Sequence, residues 1–435
     1  MKIANTRMIR AIVALILVIF TSFSLSSCFF DVGIYKELLD EINQSETNVQ
    51  QNTPDEIPNS TPDNNNNNND NKGDNTIEDS DDEEDREIGE IYPGSGESSL
   101  DNVDPLTMTL LSSVVVYADS STPSTGSGVF YQIDKENGDA YIITNYHVVY
   151  DKTTGLCTDI WVYLYGMLLN SYAIPATFVG GSSTYDIAVL RVEGSELLKN
   201  SYVAPVTFGS SDDVRPFDTV YAVGNPEGHG ISVTKGIVSV ESEQITIEGA
   251  EGSAIQLRVI RVDAAVNAGN SGGGLFDEDG KLIGIVSAKR VGSNVDNMGY
   301  AIPSDLTYNI VNNILYYCDG VTNTQMKKAL MGITITGGVL GVIVDPETGD
   351  VKTAERVEVI DVSFGSAAFG KILVGDYVDS ITVDGVTVQV TKMHHITDIM
   401  LNARVGSVVS MNITRGDKTL VVDFIVQASS ITTIN

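Results

Sequence analysis

The 435-residue chain is long enough for two or three domains at roughly 150 residues each. Its 42% hydrophobic and 19% charged content suits globular structure, while a net charge of −32 excludes nucleic acid and anionic lipid headgroups as natural partners. Three cysteines are too few for a disulfide scaffold.

Residues 1–30 carry Lys2, Arg7 and Arg10 and no acid. A basic start, the apolar run Ala11 to Phe20 and a Ser-rich stretch ending at Cys28 form a secretory signal pattern. Leu25-Ser26-Ser27-Cys28 resembles the bacterial lipobox, whose cysteine is acylated and becomes the mature N-terminus. Residues 1–27 are therefore expected to be a lipoprotein-type signal peptide and Cys28 the lipidation site. An uncleaved apolar anchor is the alternative. Both readings put the rest of the chain outside the cytoplasm, anchored to a bacterial envelope membrane.

Residues 28–104 read as a disordered acidic tether. Within it, 22 acids against Lys36, Lys72 and Arg86 give residues 31–104 a net −19, and Asn64 to Asn69 is an unbroken run. Such a segment cannot bury enough apolar surface to offset the entropy of ordering it. A calcium loop fails here, because Gly73 at the turn position puts Lys72 at a ligand position.

From about Leu106 the pattern changes to strand-sized β-branched runs. They are Ser113 to Tyr117, Gly128 to Ile133, Tyr141 to Thr144, Ile160 to Tyr165, Ile187 to Val192, Thr219 to Val223, Ile237 to Val240, Gln256 to Val262 and Leu282 to Ser287. Runs of this length and spacing predict an all-β barrel or sandwich. A helix is expected over Ser304 to Tyr317. Beyond about residue 325 come more short strands, a hairpin signal at Val383-Asp384-Gly385-Val386 and a helix near Ile396 to Arg404, which together read as a separate small domain.

Chemistry concentrates at Gly269-Asn270-Ser271-Gly272-Gly273-Gly274, where a serine among glycines lets backbone N–H groups converge beside its hydroxyl. The same residues satisfy the G-x-S-x-G elbow of α/β-hydrolases. That fold places its histidine after the serine and needs alternating strands and helices, which are absent here. Of the four histidines, His147, His229, His394 and His395, the order His, Asp, Ser selects His147 at a strand end. The orienting acid must then be buried between the two. Asp186, in the apolar Tyr185-Asp186-Ile187-Ala188-Val189-Leu190, meets this; Asp151 and Asp159 stand beside polar turn residues. His229 reads as a surface-loop residue and His394-His395 as a polar face, so no metal site is expected.

Seven motifs in order carry a family resemblance. Gly126-Ser127-Gly128-Val129, Thr144 to Val149, Asp186 to Leu190, Gly224-Asn225-Pro226, Ser232 to Ser239, Gly269 to Gly273 and Gly299 to Pro303 together resemble the HtrA (Deg) serine endopeptidases. The resemblance implies a mainly β fold, with a chymotrypsin-like double β-barrel protease domain over residues 105–320. It implies Ser271 as nucleophile, His147 as base, Asp186 as its orienting acid, and an oxyanion hole from the Gly269 and Ser271 N–H groups, with no cofactor. Ala265, six residues before the nucleophile, replaces the acid that trypsins use to bind Lys or Arg, so small or medium aliphatic P1 residues are implied. Residues 325–430 resemble a PDZ domain, with Met331, Gly332 and Ile333 in the carboxylate-binding loop that captures a peptide's free C-terminus; Asp345 to Asp350 departs from that pattern. The implied partners are unfolded or damaged polypeptides, peptides with free C-termini, and two further copies of the chain in a homotrimer. A non-cleaving, chaperone-like binding protein on the same fold is the alternative function.

Overall fold

In the computed structural model residues 100–167, 172–287, 298–344, 349 and 351–434 are described. The signal segment, Cys28 and the tether as far as residue 99 lie outside the described residues, as does most of Asp345 to Asp350. Leu100–Asn102 form a single 3₁₀ turn, followed by α1, Pro105–Leu111. Asp104 starts that helix by accepting the Thr107 N–H at 3.1 Å, with Pro105 in the first turn.

The β-branched runs close into two antiparallel barrels. The first uses β1 (Ser113–Asp119), β2 (Ser124–Asp134), β3 (Asp139–Thr144), β6 (Asp159–Leu164), β7 (Ile174–Ser182) and β8 (Ile187–Val192), in the order β1-β2-β3-β8-β7-β6. A small ladder of β4 (Tyr150–Asp151) and β5 (Gly155–Leu156) stands beside it, and a short helix α2, Glu196–Lys199, follows β8. The second barrel uses β9 (Thr219–Gly224), β10 (Ser232–Glu248), β11 (Ala254–Val262), β12 (Gly274–Phe276), β13 (Leu282–Ser287) and β14 (Gly299–Pro303), in the order β10-β11-β14-β13-β12-β9.

Period-two alternation sorts the apolar side chains. Val114, Val116, Ile142 and Leu190 cluster in the first barrel, and Val220, Ala222, Ile260 and Val262 in the second. Their neighbours Val129, Ile143, Ile187, Val189, Val223, Leu257 and Val259 belong to a third cluster that joins the barrels. Burying each such aliphatic side chain contributes about 1.5–3 kcal/mol. Helix α3, Ser304–Tyr317, adds Leu306, Ile310 and Ile314 to that cluster from one face.

The remaining strands are β15 (Met326–Ala329), β16 (Ile333–Val344), β17 (Val351–Val362), β18 (Tyr377–Val383), β19 (Val386–Gln389), β20 (Val408–Arg415), β21 (Lys418–Ile425) and β22 (Ile431–Ile434). Five of them form a sheet in the order β16-β17-β18-β20-β21, with β19 paired to β18. The β18–β19 hairpin turns at Asp384 (φ 47°) and Gly385 (φ 88°), the left-handed pair that the Asp-Gly signal predicts. The helix expected near Ile396 to Arg404 runs instead over Met393–Ile399 (α4) and tightens into a 3₁₀ turn over Met400–Asn402. β22 lies beyond the expected end at residue 430 and pairs antiparallel with β15.

The described residues belong to one compact unit. Buried Asn313 of α3 links its two halves, donating 2.6 Å bonds to Lys327 O and Leu401 O and accepting from Lys327 N–H at 3.1 Å. No helix among the described residues is long and apolar enough to cross a membrane.

Candidate active site

His147 lies in a 3₁₀ turn, Tyr146–Val148, directly after β3, and Asp186 immediately precedes β8, the strand paired with β3. The shared edge brings the two together. His147 Nδ1 stands 2.9 and 2.8 Å from the two Asp186 carboxylate oxygens, and the His147 backbone N–H donates to Oδ1 at 3.1 Å. Asp186 is fully buried and has φ 54°, a left-handed conformation that few non-glycine residues adopt. Its carbonyl is held by Asn145 Nδ2 at 2.9 Å and Tyr146 N–H at 3.2 Å. Ser287 Oγ of β13 reaches Oδ2 at 3.4 Å, so the second barrel also braces this carboxylate.

Ser271 is 6% exposed, in the turn that leads into β12. The adjoining glycines are dictated by space. A Cβ on Gly272, which has φ 85°, would press on Ser127 O and Thr144 Oγ1, and one on Gly273 would press on Val223 O. Gly126 adjoins both sides of the site: an added Cβ would lie 2.7 Å from the Val148 methyls and 3.0 Å from Ser271 O.

Ser127 fastens this turn to the first barrel. Its N–H donates to Ser271 O at 2.8 Å and its hydroxyl to Gly269 O at 2.7 Å, while that hydroxyl accepts the Asn225 N–H at 2.8 Å. The Ser127 carbonyl accepts from Thr144 Oγ1 at 2.7 Å. Sequence reasoning gave Ser127, Asn145 and Ser287 no role. Ser127 carried a signal, a hydroxyl between Gly126 and Gly128; Ser287 carried none, because only barrel packing brings it to Asp186.

The other candidates separate cleanly. Asp151 accepts from Ser120, Ser121, Thr122, Thr153 and Thr154 and so organises a loop. Asp263 accepts the Ile237 N–H at 2.6 Å, which commits it to β10. His229 is exposed. Cys157 and Cys318 are buried free thiols. Met331 and Gly332 fall between β15 and β16, Ile333 begins β16, and all three line a cavity of about 510 Å³ with Ile335, Ile396 and Met400. Gly332 has φ 77°, and a Cβ there would collide with Ser366. His394 and His395 sit in the first turn of α4, facing Asp212 from the segment between the barrels.

Residues 126–285 match the model of the trypsin-like peptidase domain. A serine protease Do-like HtrA of Lactobacillus helveticus is 32% identical over 309 residues, covering 68% of this chain and 67% of that protein. The chain belongs to the HtrA family of serine proteases. A second HtrA, from Bacillus subtilis, is 34% identical over 220 residues, 50% of this chain and 44% of that protein. The chain thus spans about half the length of several HtrA relatives it matches. Among solved structures, the HtrA-type protease AlgW with tripeptide aligns at a TM-score of 0.47 and 26% identity, over 74% of this chain and 96% of that one.

Proposed function

We propose that the chain is a serine endopeptidase in which Ser271, His147 and Asp186 act as one catalytic unit. The observation that carries this reading is the buried Asp186 carboxylate, which grips both the ring and the backbone of His147. With Nδ1–H bound to Asp186, Nε2 is the free base. It takes the Ser271 proton as Oγ bonds to the peptide carbonyl carbon and the carbonyl π pair moves to oxygen. The resulting oxyanion is assigned to the Gly269 and Ser271 N–H groups, as the resemblance to the family implies. Collapse expels the amine, protonated by His147, and water then releases the acyl group by the same steps in reverse.

The substrates are unfolded or damaged extracytoplasmic polypeptides, and residues 325–430 act as a PDZ-like receptor for their free C-termini. In support, β16 is an edge strand, and the Met331-Gly332-Ile333 loop closes one end of a groove between β16 and α4. The protein works from the bacterial envelope membrane, tethered through Cys28, and assembles as a homotrimer. Small or medium aliphatic P1 residues are preferred, consistent with Ala265 and with the commitment of Asp263 to β10.

Digestion of casein by the purified full chain, beside Ser271→Ala, tests the catalytic reading. Residual activity above about one hundredth of wild type in the variant would overturn it. Binding of an apolar C-terminal peptide, with its carboxylate free or amidated, tests the receptor. Equal affinities would remove the carboxylate loop from the account.

A further inference from the structure

Away from the catalytic groups, a cavity of about 390 Å³ lies where the second barrel meets α4, and its wall carries Asp212, His394 and His395. One donor atom from each residue lies within 4.8 Å of the other two. His394 Nε2 is 3.8 Å from Asp212 Oδ1, and His395 Nε2 is 3.5 Å from Asp212 Oδ2. Ligand atoms around a tetrahedral Zn²⁺ stand about 3.3 Å apart when the bonds are about 2.0–2.1 Å. The two His–Asp contacts run to different oxygens of Asp212, so a set of one donor atom from each residue, all within 4.8 Å of one another, closes by up to about 1.5 Å to reach that geometry.

We propose that Asp212, His394 and His395 form a binding site for a divalent transition metal of the Zn²⁺ class, with water completing a tetrahedron on the cavity side. Two imidazoles and one carboxylate suit this borderline ion better than Ca²⁺ or Mg²⁺, which take oxygen donors.

Two features outside the three donors favour the site. His395 Nδ1 lies 2.9 Å from Gln389 O, and the Thr391 N–H approaches the same nitrogen at 3.3 Å. An Nδ1–H donated to that carbonyl leaves the Nε2 lone pair aimed at Asp212, an arrangement that metal-ligating histidines commonly use. Asp212 is held from behind, because Asp305 Oδ2 accepts its backbone N–H at 3.1 Å and the hydroxyls of Ser210 and Ser211 at 3.1 and 2.9 Å. Of the cations lining the cavity, Arg258 is paired with Asp398 and Lys392 with Glu241, and Arg215 stands on the same wall.

Because Asp212 belongs to the segment between the barrels and both histidines to α4, the ion would fasten the peptide-groove helix to the protease. This is independent of whether Ser271 cleaves peptides. Calorimetric titration of the chelator-stripped full chain with ZnCl₂, in millimolar Mg²⁺ to occupy acidic residues elsewhere, should show one tight equivalent. Co²⁺ in its place should give the intense visible absorption of a tetrahedral centre. Asp212→Asn and His395→Asn should each weaken that binding by at least about 100-fold, the second while retaining a donor for Gln389 O. His229→Asn should leave it unchanged. The absence of a tight equivalent, or affinity unchanged in both ligand variants with their circular dichroism intact, would overturn the site.

Discussion

Asp186 holds His147 at two points, through the ring Nδ1 at 2.8 Å and through the backbone N–H at 3.1 Å, from a left-handed backbone at φ 54°. Ring and main chain are thus fixed by a single carboxylate. Asn adopts the left-handed region readily, so Asp186→Asn keeps the backbone and removes the charge. We expect kcat to fall about 10³–10⁴-fold, with thermal unfolding displaced by only a few degrees. Peptide hydrolysis kinetics beside a melting curve check both halves.

Ser127 offers a separate test of how the nucleophile turn is positioned. Ser127→Ala would leave Gly269 O and the buried Asn225 N–H without their hydroxyl partner, at a cost of about 1–3 kcal/mol. The turn carrying Gly269 should loosen. The expected signature is a fall in kcat of at least tenfold with KM little changed. A change in KM alone would mean that Ser127 serves substrate binding instead.

Acid sensitivity should enter through the C-terminal sheet. Burial by itself would raise the pKa of Asp376, but two 2.7 Å bonds from Arg415 and the Leu373 N–H at 2.8 Å outweigh it and hold the carboxyl below its ordinary range. A depressed pKa contributes stability above the unfolded value of about 4 and loses it as pH falls through the folded value. Asp376→Asn should therefore cost about 2–3 kcal/mol near pH 7, somewhat less than a fully buried pair because Arg415 is about a third exposed. The gap from wild type should narrow below about pH 4. Urea unfolding of both proteins across pH 3–7 measures it.

The two described thiols should be inert in the folded protein. Burial pushes Cys318 up to about 11 and also raises Cys157, so little thiolate forms at neutral pH. Iodoacetamide followed by peptide mapping should modify both residues only after denaturation. Rapid native labelling of either would contradict this.

Much of the fold is legible from local pattern. Ile187–Val192, Leu282–Ser287 and Ser304–Tyr317 appear with the expected bounds because their apolar periodicity is unbroken. β7 escapes notice because Pro175, Gly180 and Gly181 break its run. Its glycines answer to distant residues, since a Cβ at Gly180 would strike Cys318 and one at Gly181 would strike Tyr146. β10 is far longer than Ile237 to Val240 because bulges displace its alternation. Helix α1 carried a readable start in Asp104-Pro105 that the surrounding strand-like texture concealed. At the site, His147 and Asp186 are recoverable from order and apolar context. Asp212 is not, because only the packing of α4 on the second barrel brings it to His394 and His395.

The central claim is that Ser271 is a nucleophile activated by His147. Treating the full chain with a fluorophosphonate and mapping the adduct by mass spectrometry tests this most directly. The account predicts one covalent adduct, on Ser271, absent in Ser271→Ala and strongly slowed in His147→Ala. Casein cleavage without an adduct at Ser271, or labelling of Ser271 at an undiminished rate in His147→Ala, would contradict it.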